Sequence, residues 1–213
     1  MIGFNKVIKT LIISDFLLQC GWGLIGPIFA IFLIKQIEGG TLVTVGFIAA
    51  TFWVTKSISQ PAIAYFLDLK KGEIDDFNFL VRGMYVANLI PLGYLFSTQI
   101  WHLFLLEFIR ALAMACVVPS WFGIFTRHID KGWEAFSWSL QSTGMGLAAG
   151  FAAAFGGVIA AFLGFRAVFV LVTIFGLFAS SFLLLIRQRL FTKNHFVSKA
   201  PLEEPKTPPE TKL

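Results

Sequence analysis

Long apolar runs alternate along this chain with short clusters of charge. A helix that spans a bilayer needs about 20 mostly apolar residues. Six runs qualify, at roughly 9–34, 41–67, 79–98, 101–126, 135–163 and 166–188. The connections between them differ in character. The first, 35–40, is short and ends in Gly39-Gly40, whereas the second, 68–78, reads DLKKGEIDDFN and is densely charged. The third, 97–100, carries no charge, the fourth, 127–134, is charged again, and the fifth is a turn at Gly164, Phe165 and Arg166. The first run is too long for a cleavable leader and is read as the first span. The pattern predicts a six-helix transmembrane domain over 1–190 and a cytoplasmic tail over 191–213. That tail is rich in Pro, Lys and Glu, cannot bury a core, and is expected to be disordered.

The cationic residues give the runs an orientation. Lys6, Lys9, Lys70, Lys71, Arg82, Arg127, Lys131, Arg187, Arg189, Lys193, Lys199, Lys206 and Lys212 fall on one side, thirteen in all, against Lys35 and Arg166 on the other. The excess of Lys and Arg on cytoplasmic connections then predicts that both termini lie inside. Composition agrees: 57% of residues are hydrophobic, 14% are charged and mean hydropathy is +0.78, where a soluble domain would be about half apolar and about a quarter charged. The net charge of +5 therefore reads as membrane anchoring, since no basic stripe with interleaved aromatics suggests nucleic acid. Cys20 and Cys116 lie within apolar runs, and His102, His128 and His195 are far apart, so neither a structural disulfide nor a metal site is expected.

The chain also repeats itself. Residues 63–70 read IAYFLDLK and residues 159–166 read IAAFLGFR, an offset of 96. Pro27 and Pro119 occupy similar places in the first and fourth runs, near Phe29 and Trp121. Spans one to three then correspond to spans four to six. Because three is odd, the triplets cross the membrane in opposite directions, as a 3+3 inverted repeat of the kind found in secondary transporters.

Gly156-Gly157 leads through Gly164-Phe165-Arg166 to Phe169, preceded by Gly146 and Gly150 at a spacing that lets helix backbones approach closely. This stretch gives the fullest of three likenesses: it resembles the major facilitator superfamily, specifically its N-terminal six-helix half. A second lies at Asp68, Lys70 and Lys71 after span two, where the resemblance implies a cytoplasmic gating loop. A third is Arg110, followed by Ala111, Ala113 and Ala115. The resemblance implies a multi-pass protein of the cell (plasma or inner) membrane working by symport or antiport, with proton coupling as the family default. Members are usually twelve-helix, so it also implies a second six-helix bundle from elsewhere, most simply a second copy of this chain.

Charges at bilayer depth are costly and mark function. Four are placed there: Asp15 in the first run, Lys56 in the second, Glu107 and Arg110 in the fourth. The spacing of Glu107 and Arg110 puts them on one helix face. Lys56 and Arg110 would attract an anionic group on a solute, and Asp15 or Glu107 could carry a proton. Gln19, Trp53, Ser57, Gln60, Gln141 and Ser142 are candidate lining. The alternative for these charges is structural, with Glu107–Arg110 a packing pair and Lys56 reaching for the interface. Pro27, Pro61, Pro91 and Pro119 interrupt spans and suggest bending. No serine sits in a Gly-x-Ser-Gly setting, no aspartates pair within the spans, and no phosphate loop or dinucleotide fingerprint occurs. The expectation is thus a non-enzyme without cofactors that moves a small solute by alternating access. A degenerate or truncated half-transporter, serving as a non-transporting assembly or regulatory subunit, is the competing reading.

Overall fold

A computed structural model describes residues 5–70, 72–188 and 190, apart from the side chain of Lys70. Among them are helices and no strand. They are α1 (Lys6–Ile25), α2 (Phe29–Gln36), α3 (Leu42–Lys70), α4 (Glu73–Tyr94), α5 (Ile100–His128) and α6 (Glu134–Phe182), closed by a 3-10 turn, Leu183–Ile186. Lys71, Arg189 and the whole of 191–213, with the expected tail, lie outside the described residues.

Local chemistry explains the boundaries. Asn5 caps α1 by accepting from the Val7 backbone N–H at 3.0 Å. Proline lacks an N–H and its ring collides with the preceding turn, so α1 stops before Pro27 and the chain restarts as α2. The other three prolines behave differently: α3, α4 and α5 run continuously through Pro61, Pro91 and Pro119. The charged stretch 68–78, expected as a connection, is mostly helix. α3 extends through Asp68 to Lys70, and Glu73, Asp75 and Asp76 form the first turn of α4, where the helix dipole favours negative charge.

The longest helix is broken at Gly164, whose φ of 79° and ψ of 171° are non-helical. A side chain there would be strained. The break divides α6 into arms over 134–163 and 165–182. The two sequence repeats therefore fold differently: Asp68, which answers to Gly164, is helical, and its chain turns only after Lys70. Four stretches are long and apolar enough to cross a membrane: Lys6–Gln36, Leu42–Leu69, Ile100–His128 and Glu134–Ile186. α4 is less apolar because Asn78, Arg82 and Asn88 interrupt it.

α1 packs along α6, α6 against α4, α4 against α5, and α5 against α3. Two hydrophobic cores result, stacked along the helix axes. One gathers Ile8, Leu11, Leu80, Met84, Ile124, Phe125 and Leu183. The other gathers Leu24, Phe32, Leu33, Ile90, Leu103, Phe169 and Val172. Between them four of the helices carry polar residues: Ser14 and Asp15 on α1, Asn88 on α4, Glu107 and Arg110 on α5, Ser180 on α6. This belt is internally bonded. Ser14 donates to the Ala179 carbonyl at 3.0 Å, and the Asn88 amide donates to the Gly176 carbonyl and the Ser180 hydroxyl at 3.0 and 3.1 Å.

Glycine decides the closest approaches. A Cβ at Gly156 would overlap the Leu24 backbone, whereas Gly146, Gly150, Gly157 and Gly164 face open space within this chain. Gly156→Ala is therefore expected to cost about 1–3 kcal/mol, the usual penalty for forcing a methyl into a filled site. Gly157→Ala, by contrast, should be neutral or gain up to about 1 kcal/mol from helix propensity. Thermal unfolding of the two variants in detergent distinguishes them.

One end of the bundle is tied by ions. Arg127, in the last turn of α5, bonds Asp76 and lies 3.4 Å from Glu73, both in the first turn of α4. Arg127→Ala strands two largely buried carboxylates. Because Arg127 itself is 43% exposed, the expected loss is moderate, about 1–2 kcal/mol. The same unfolding measurement reads it, and Arg127→Lys should lose less.

Candidate functional site

Between the two cores a cavity of about 430 Å³ opens among α1, α3, α5 and α6. Helical periodicity supplies its walls, since residues three or four apart share a face. α1 presents Asp15, Gln19 and Trp22. α3 presents Phe52, Trp53 and Lys56. α5 presents Arg110, Met114, Val118 and Trp121, and α6 presents Gln141 and Met145. Six of the residues singled out from sequence, Asp15, Gln19, Trp53, Lys56, Arg110 and Gln141, thus line one space. Gln60, Ser57 and Ser142 do not. Gln60 lies one turn of α3 beyond Lys56, half-buried, and both serines are exposed.

The polar groups on the wall are unequally satisfied. Asp15 accepts from the Gln141 amide at 3.1 Å, a bond that joins α1 to the first arm of α6. Two aromatic rings lie against Arg110: its guanidinium carbon is 4.7 Å from the Trp22 ring and 3.6 Å from the Phe52 ring. Such stacking of a cation on aromatic rings is attractive. Along its edge, Nε and Nη2 donate to Glu107 Oε2 at 2.9 and 2.5 Å. Lys56 makes no ion pair among the described residues. Its ammonium lies 4.9 Å from the Trp53 ring and 5.9 Å from that of Phe52. Trp121, on the same wall, keeps a buried indole N–H without an acceptor.

Glu107 turns away from this cavity. It lines a second one, of about 320 Å³, with Gly26, Phe29, Ile48 and Tyr94. Its other oxygen, Oε1, accepts from the Tyr94 hydroxyl. Four residues, Trp22, Phe52, Trp53 and Arg110, line both cavities.

Sequence reasoning missed Trp22, Phe52, Tyr94 and Asn88. Asn88 matters because its carbonyl oxygen accepts from the Trp22 indole at 2.9 Å, setting the ring that covers Arg110. An amide within the apolar run 79–98 was the available signal. Trp22 was readable as one helical turn past Gln19. Phe52 and Tyr94 carry no such mark, being aromatics among apolar neighbours.

The residues expected to form a gating loop are not brought together with the cavity. Asp68 is exposed at the end of α3, and the Lys70 side chain and Lys71 lie outside the described residues. The ion pairs at that end involve Arg127, Glu73 and Asp76 instead. Arg166 is exposed beside the Gly164 break. No group of histidines, cysteines or carboxylates among the described residues has the makings of a metal site.

No curated protein matches the chain. The sequence model of the Major Facilitator Superfamily does, over residues 11–212. Apolar helices packed around a cavity that carries a few charged side chains fit that assignment, and the chain belongs to the major facilitator superfamily, a family of membrane transporters.

Proposed function

We propose that this chain contributes a six-helix bundle to a secondary transporter that moves a small solute bearing an anionic group, by alternating access. The observation that carries this reading is the convergence of Asp15, Gln19, Trp53, Lys56, Arg110 and Gln141 on one cavity between the two cores. A lysine at the centre of a bilayer costs about 2.5–3.5 kcal/mol, and Lys56 has no ion pair among the described residues to offset it. A solute carboxylate or phosphate would supply the missing charge. The aromatic wall of Trp22, Phe52, Trp53 and Trp121 suits a flat apolar body.

Six spans follow if α1 and α2 count as one broken span, α3, α4 and α5 as one each, and the arms of α6 as two. The positive-inside rule then supports cytoplasmic termini. A second six-helix bundle, most simply a second copy, would close the open side. That side is marked by α3: only 11% of its most apolar stretch is buried, against 39%, 39% and 44% in the other three membrane-length stretches. Asp15 and Glu107 are the candidates for proton coupling.

The first test is binding by the full chain in lipid nanodiscs, read by quenching of the cavity tryptophans. Benzoate should bind in preference to its neutral isostere benzamide, and Lys56→Gln should weaken benzoate by about tenfold or more while leaving benzamide unchanged. That magnitude follows from a charge-assisted hydrogen bond of about 1.5–3 kcal/mol. Equal binding of the two probes contradicts an anion site. Native mass measurement of the nanodisc complex should give two chains per particle, and a stable single chain argues against self-association.

A further inference from the structure

Arg110 stands on the boundary of two cavities. The first holds Asp15, Lys56 and Gln141, the second Glu107 and Tyr94. Trp22 and Phe52 pack against the guanidinium, and its hydrogen bonds to Glu107 run along its edge. That edge is poorly used. Nε and Nη2 both converge on one oxygen of Glu107, so the parallel two-oxygen fork that guanidinium makes with carboxylates or phosphates is not formed. The second oxygen belongs to Tyr94.

We infer that Arg110 is an exchange point, at which an anion entering the first cavity takes the guanidinium from Glu107 and leaves that carboxylate against Tyr94 at the second cavity. The inference rests on the reading that the first cavity accepts an anion-bearing solute. Three features favour the exchange. A solute carboxylate or phosphate can form the two-oxygen fork that Glu107 does not. Lys56 lines the same cavity as Arg110 and makes no ion pair among the described residues, so an anion between them relieves a like-charge pair. Glu107, once released, keeps the phenol as donor and is not left bare, which would be costly for a buried carboxylate.

Glu107 thus acts as an internal competitor for the solute, and the two substitutions that alter it have opposite signs. Glu107→Gln removes the competing charge, so benzoate binding to the full chain in nanodiscs should tighten by about tenfold, with benzamide unchanged. Tyr94→Phe keeps the ring packed on Phe29 and Phe169 but takes the other donor from Glu107. The carboxylate then holds Arg110 more firmly, and benzoate should bind several-fold more weakly. Benzoate affinity unchanged in both folded variants, or weakened by Glu107→Gln, overturns the exchange and leaves Glu107–Arg110 a packing pair. If Glu107→Gln does not fold, Tyr94→Phe decides alone: weaker binding supports the exchange and unchanged binding overturns it. A wild-type protein that does not prefer benzoate to benzamide overturns the anion site as well. A preference that survives while the variants show no effect overturns the exchange alone.

Discussion

A permanently charged guanidinium lies between two hydrophobic cores, and the arrangement of the helices follows from what surrounds it. Arginine does not lose its proton in proteins, so the charge must be compensated where it lies. Glu107 supplies the opposite charge one helical turn away, and the Trp22 and Phe52 rings lie against the guanidinium. Trp22 is oriented by Asn88, which is anchored to Gly176 and Ser180. A chain of polar contacts thus runs from α5 through α1 and α4 into the second arm of α6. Gly176 has no side chain because Asn88 occupies the place a Cβ would take. The cores on either side keep Asn88, Glu107 and Ser180 buried and strengthen their electrostatics.

Much of this was legible in the sequence, for a specific reason. Charged and amide side chains stand out against an apolar run, so Asp15, Gln19, Lys56, Arg110 and Gln141 announce themselves. Their partners are harder to read. Lys56 and Gln60 are four residues apart and share a face of α3, yet only Lys56 lines the cavity, because the cavity's extent depends on how α5 and α6 cross. Glu107 was visible as a partner for Arg110, but its bond to Tyr94 joins two helices across a turn and leaves no local pattern. The stretch 68–78 misled because dense charge reads as a connection. Acidic residues suit the first turn of a helix equally well, and Arg127 on α5 was waiting for them. The prolines show the same limit: only Pro27, beside Gly26, divides two helices.

The outer surface follows the opposite rule to that of a soluble protein. Phe162, Phe96, Ile58 and Leu42 are each more than 70% exposed. Apolar area of that extent would drive aggregation in water, and in hydrocarbon it costs nothing. Apolar residues therefore go all round the helices, and the polar minority marks the interior. For a transporter of the major facilitator superfamily, this inversion makes the few buried charges unusually informative.

The glycines of α1 determine which walls of the cavity can yield. A Cβ at Gly21 would meet Val172 and Phe175 on the second arm of α6, and one at Gly23 would lie 2.7 Å from Ala152 on the first. α1 is wedged between two arms joined through a single residue, Gly164, and cannot shift by even a methyl's width without carrying both. α3 meets no such restraint, touching chiefly α5. The cavity is unevenly walled, with Asp15, Gln19 and Gln141 on closely interlocked helices and Lys56 and Trp53 on one held chiefly by α5. Within this chain, the separation of carboxylate and ammonium then follows how α3 seats on α5.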